Sequence, residues 1–128
     1  MDKKLLNIIN NRQLVSVMNQ TKWRELCDDF AQLRALKISV RYKLVTGEVE
    51  GFSPVWWDEL FEYSPQIEWI EFNPIVKEYR GRLVTDNQVD RSEEILNVFR
   101  KHSIRYSKEQ SHFKVWWYLS PETIPDFI

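Results

Sequence analysis

The sequence predicts an α+β domain, an antiparallel sheet of about four to five strands with helices packed on one face, in the order α-β-β-β-α-β. Three patterns lead there. Trp23, Leu26, Cys27, Phe30 and Leu33 recur at the spacing of one helical face. Ile38, Val40, Tyr42 and Leu44 alternate with Ser39, Arg41 and Lys43, the period of a half-buried strand. Near the end, Phe113, Val115, Trp117 and Leu119 alternate with His112, Lys114, Trp116 and Tyr118 in the same way.

Taken in order, residues 2–10 form a short helix with Leu5, Leu6 and Ile9 on one side. The main helix spans residues 22–36, with Asn19 or Thr21 as its cap, because either short polar side chain can accept from a free amide of the first turn. The strand from Ile38 to Leu44 follows, and Thr46-Gly47 makes a turn. Residues 48–57 return as a second strand, broken at Pro54, which cannot donate to a ladder. Residues 67–72, Ile-Glu-Trp-Ile-Glu-Phe, read as a third strand whose imperfect alternation suggests a bulge. Asp90 or Ser92 opens a second long helix, with Glu93 and Glu94 in its first turn and Lys101-His102 at its end, as the helix dipole favours. Its apolar face is Ile95, Leu96, Val98 and Phe99.

The 128 residues suit one domain, 1–128, with residues 1–18 as a candidate N-terminal helical extension. Hydrophobic content of 43% and aromatic content of 14% support a packed core and exclude a disordered chain. Cys27 is the single cysteine, so no intrachain disulfide can form, which fits a reducing, cytoplasmic compartment. The apolar residues near the N-terminus are broken by Asn7 and end at Asn10-Asn11-Arg12, unlike a signal peptide, and no apolar run approaches a membrane span.

Candidate chemistry is sparse. Cys27 lies on the inward helix face beside Trp23 and Phe30, where a thiol is usually inert. His102 and His112 are expected at the surface and fit no triad; with one cysteine they make a poor zinc site. The three glycines, at 47, 51 and 81, exclude a phosphate-cradling loop. A hydrolase could use Glu68, Glu71 or Asp58 with His112 nearby, but on a regular strand Glu68 and Glu71 point to opposite faces. Arg100, Lys101, Arg105, Lys108 and Lys114 lie near Tyr106, Phe113, Trp116 and Tyr118, a pattern that can bind single-stranded nucleic acid. Glu93, Glu94 and Glu109 dilute it, and a net charge of −1 argues against that partner.

Charge distribution carries more than any motif. Residues 44–76 hold seven acids (Glu48, Glu50, Asp58, Glu59, Glu62, Glu68 and Glu71) and no lysine or arginine. The same stretch carries Phe52, Trp56, Trp57, Phe61, Tyr63, Trp69 and Phe72. Acids with aromatics resemble one half of a protein interface, with rings as anchors and carboxylates steering a cationic partner. The partner-binding residues so expected are Glu48, Glu50, Trp56, Trp57, Asp58, Glu59, Glu62, Glu68 and Glu71. No catalytic residue, metal or cofactor is expected.

Two segments carry a resemblance. Asn19-Gln20-Thr21-Lys22-Trp23-Arg24-Glu25-Leu26 is similar to the Asn-x-Thr-Lys-Trp-x-x-Leu opening of a family of small, uncharacterised bacterial proteins. Ile67-Glu68-Trp69-Ile70-Glu71-Phe72 resembles that family's later Ile-Glu-Trp-hydrophobic-Glu strand. The resemblance implies no established activity, and it associates the chain with immunity proteins that neutralise a cognate toxin. The expectation is therefore a non-enzymatic, cytoplasmic, toxin-inhibiting binding protein whose partner is a cationic toxin domain. Within the motif, Thr21 fits the helix cap and Trp23 the first core contact.

Overall fold

A computed structural model describes residues 2–78, 81–82 and 87–128. The first helix, α1 (Lys3–Asn11), starts where the Asp2 carboxylate accepts from the Lys4 amide, and it buries Leu5 and Ile9. A short strand β1 (Val15–Ser16) leads to α2 (Gln20–Gln32), followed by a 3-10 turn, Arg34–Leu36. Asn19 is the cap: its side chain accepts from the Lys22 amide at 2.8 Å. Thr21 instead sits exposed within the first turn. The predicted helical face is the buried one, with Trp23, Leu26, Cys27 and Phe30 all inside. Each of the large side chains contributes about 1.5–3 kcal/mol by leaving water.

Strand β2 (Ser39–Leu44) ends in a turn in which the Gly47 amide donates to Leu44. Gly47 has φ +109°, a backbone conformation that L side chains rarely adopt. The expected second strand at residues 48–57 does not form. Val49 and Ser53 make isolated bridges to Lys43 and Val40, so this segment lines the edge of β2 without joining the sheet. Trp57 instead begins α3 (Trp57–Glu62), which a second 3-10 turn, Ser64–Gln66, links to β3 (Ile67–Asn73). Pro54 explains the interruption, and Asp58 and Glu59 in the first turn of α3 complement its dipole.

The hairpin β4 (Ile75–Glu78) and β5 (Asn87–Asp90) precedes α4 (Ser92–Lys101), whose opening is held by Asp90 accepting from the Ser92 amide at 2.8 Å. The chain closes with β6 (Ser107–Glu109), β7 (His112–Trp116) and β8 (Tyr118–Leu119). The central sheet is antiparallel, in the order β2-β3-β7-β6, and β1 pairs with β8 in a separate ribbon. The fold is thus α+β. The final aromatic strand is divided after Trp116, because the Trp117 amide turns to the Glu68 carbonyl.

Register assigns the two faces of the sheet. Val40 opposes Phe72, and Phe72 opposes Phe113; Ile70 opposes Val115. These residues form the inner face, against Phe30 of α2, Trp57 of α3 and Phe99 of α4. Arg41, Lys43, Trp69, Glu71, His112, Lys114 and Trp116 alternate with them and lie on the outer face.

Candidate functional site

The seven acids of residues 44–76 divide into two groups. Glu68 and Glu71 are buried, at 4% and 2% exposure. The suspected bulge explains their common side. Lys43 opposes Trp69 and Leu44 opposes Ile67, so Glu68 is an extra residue in β3. That insertion turns Glu68 to the same face as Glu71, where each meets its own cations.

Arg12, at the end of α1, donates to Glu68 Oε1 at 2.6 Å, and Lys43 Nζ lies 3.0 Å from Oε2 without hydrogen-bond alignment. Arg41 Nε donates to Glu71 Oε1 at 2.8 Å, and His112 Nδ1 lies 2.9 Å from Oε2. Burial alone would raise the Glu71 pKa, but the Arg41 and His112 hydrogen bonds outweigh it and hold the carboxyl below its usual range. Phe52 lies under the Arg41 guanidinium at 4.7 Å and edge-on to His112. Lys114 Nζ stands 4.0 Å from the centre of the Trp69 ring and 5.2 Å from that of Trp116. Glu71 thus has a hydrogen-bond partner on each oxygen, while Glu68 Oε2 is buried beside the Lys43 ammonium without a hydrogen bond.

The other five acids, Glu48, Glu50, Asp58, Glu59 and Glu62, are exposed, and among the described residues none forms an ion pair. Thr46 donates its hydroxyl to Glu48, which lowers that carboxyl's pKa. The two adjacent tryptophans separate completely. Trp57 is 6% exposed and stacks on Phe30 at 5.0 Å, so it belongs to the core. Trp56 is 77% exposed. It lines a cleft of about 220 Å³ with Tyr42, Pro54, Val55, Glu59, Leu60 and Tyr63, where α3 meets the edge of β2.

Of the nine residues expected to bind a partner, Trp57, Glu68 and Glu71 are therefore too buried to touch one. Glu48, Glu50, Trp56, Asp58, Glu59 and Glu62 remain available. Tyr42 and Tyr63 were not among the expected residues. Trp56, Glu59 and Tyr63 fall at i, i+3 and i+7, a signal visible in the sequence once this segment is read as helix instead of strand.

Other candidates take structural roles. Burial, followed by the charges of Asp28 and Asp58, pushes the Cys27 thiol up to about 12. Neither histidine is a free surface group. His102 Nδ1 and Nε2 lie 2.7 Å from Glu25 and 2.7 Å from Asp29, fastening the end of α4 to α2. Asp58 is on α3, apart from the Glu71–His112 pair on the outer sheet face. In the basic patch, Trp116 and Tyr118 are buried, Arg105 rests on Phe127, and Lys101 pairs with Asp29. Those rings are not available for base stacking. Among the described residues no group of three or more histidine, cysteine or acidic side chains could hold a metal ion, and no helix is long and apolar enough to cross a membrane.

A profile of a family of unknown function (DUF6678) matches residues 5–122. The chain belongs to that family. No curated protein and no solved structure matches it. The DUF6678 match runs from α1 through β8, so it takes in both the cation-capped acids of the outer face and the cleft beside α3.

Proposed function

We propose that this DUF6678 member is a non-enzymatic binding protein whose contact surface is the acidic, aromatic face formed by α3 and the loop before it. One observation carries the reading. Trp56 stands 77% exposed and shares a cleft with Glu59, and none of the five exposed carboxylates of residues 48–62 has an ion-pair partner among the described residues. A large exposed ring is the usual anchor of an interface, and uncompensated carboxylates raise association rates with a basic partner. The partner fitting that surface is a cationic protein. The more particular form of the proposal is a bacterial toxin domain that the chain neutralises as an immunity-type protein; the resemblance to small bacterial proteins and the sign of the surface support it.

The test is capture of partners from the source cell by the tagged chain and by a Glu48→Lys, Glu59→Lys, Glu62→Lys variant, at low and at high salt. A basic protein retained by the parent at low salt, and lost from the variant, is the expected result. Identical capture by both chains, insensitive to salt, would remove this surface from the proposal.

A further inference from the structure

Building on that reading, we infer that the cleft beside α3 receives an arginine side chain of the partner, stacked on Trp56 and paired with Glu59. Tyr42, Trp56 and Tyr63 offer three aromatic rings to one space of about 220 Å³, with Pro54, Val55 and Leu60 completing its apolar wall. Aromatic rings around a single carboxylate favour a cation, because the ring faces carry negative potential and the carboxylate supplies the counter-charge. Among the described residues no in-chain cation pairs with Glu59.

A guanidinium suits the arrangement better than an ammonium. Its plane can lie flat on an indole while its fork donates to both oxygens of a carboxylate, which a compact, strongly hydrated ammonium cannot do. The molecule already uses the same combination internally. Arg41 lies 4.7 Å over the Phe52 ring while its Nε donates to Glu71 at 2.8 Å. Arg24 covers Phe61 at 4.5 Å on α3 itself. At the Trp56 cleft the ring and the carboxylate are present and the guanidinium must come from outside.

The direct test needs no partner. The full chain, labelled with nitrogen-15, is titrated at constant ionic strength with N-acetyl-arginine amide, N-acetyl-lysine amide, N-acetyl-citrulline amide and tetramethylammonium chloride. The Trp56 indole resonance, assigned by its loss in Trp56→Phe, is followed. The arginine probe should give a saturable shift there, with the lysine probe about threefold weaker and the neutral citrulline probe about tenfold weaker. Glu59→Gln should weaken the arginine probe by about threefold or more, and Trp56→Ala should abolish its shifts at the Glu59 amide. Citrulline binding as well as arginine would reduce the cleft to a stacking surface and overturn the inference. Tetramethylammonium binding in preference to arginine, or no saturable shift with any probe, would overturn it equally. Because the probes act on the isolated chain, arginine binding without a salt-sensitive protein partner would sink the proposed function alone. A partner captured through the acidic face, with no arginine response at Trp56, would sink this inference alone.

Discussion

Substituting each of the adjacent tryptophans in turn should have opposite consequences. Trp57 is 6% exposed, its ring lies 5.0 Å from Phe30 and 6.1 Å from Phe72, and it closes the core between α3 and the sheet. Cutting such a side chain to alanine loses its transfer free energy and leaves a cavity that the surrounding rings cannot fill, about 3–5 kcal/mol in all. Domains of this size are stable by about 5–15 kcal/mol, so Trp57→Ala should bring the chain close to unfolding. Trp57→Phe keeps one ring in contact with Phe30 and should fall between the alanine variant and the parent. Trp56 is 77% exposed, and Trp56→Ala should change stability by no more than about 0.5 kcal/mol. Equilibrium urea titration followed by far-ultraviolet circular dichroism measures all three without relying on the fluorophores removed. A loss above about 1 kcal/mol in Trp56→Ala would mean that this ring is seated in the fold, and the candidate surface would have to be abandoned. A loss below about 1 kcal/mol in Trp57→Ala would mean that the register of α3 against the sheet is wrong.

Four further outcomes follow from the same geometry. Glu71 is held below its ordinary value of 4.5, so its stabilising effect is present above that pH and fades as pH falls through its folded pKa; the stability gap between the parent and Glu71→Gln, about 1–3 kcal/mol at neutral pH by urea titration, should shrink below about pH 4.5. Cys27, with its thiol pushed up to about 12, should resist iodoacetamide at mildly alkaline pH and react once urea unfolds the chain, read by mass spectrometry. Asn19→Ala should cost about 1 kcal/mol in thermal or urea unfolding, and Thr21→Ala much less, because only Asn19 accepts from a first-turn amide. Caesium should quench Trp56 emission better than iodide at low salt, and Glu59→Gln with Glu62→Gln should narrow that difference; equal quenching would show that the carboxylates create no local field.

The readable parts of the sequence were those where one face is apolar and the other is not. The face from Trp23 to Phe30 is buried, and the strand to Leu44 packs Val40, Tyr42 and Leu44 against the core, so their periods were clear. The segment of residues 48–57 misled because Pro54 and three aromatics fit an edge strand as well as the start of a six-residue helix. Helices that short show too little periodicity to separate from a strand. The site was half legible for a different reason. Composition showed that residues 44–76 lacked cations, but could not show that a bulge would turn Glu68 toward Arg12, 56 positions away. Nor could it tell Trp56 from Trp57, since the start of α3 at Trp57 decides which ring enters the core.

The division of the acids also says what the fold does and does not require. Glu68 and Glu71 hold Arg12, Lys43, Arg41 and His112 across the outer face of the sheet, so without them these four partly exposed side chains would lose their partners. Glu48, Glu50, Asp58, Glu59 and Glu62 have no such duty. They are exposed, like-charged and close in sequence. Neutralising Glu50 and Glu62, which neither accept the Thr46 hydroxyl nor sit in the first turn of α3, should leave the chain no less stable than the parent. Glu59, beside the exposed Trp56, is the carboxylate that the proposed cationic partner would meet.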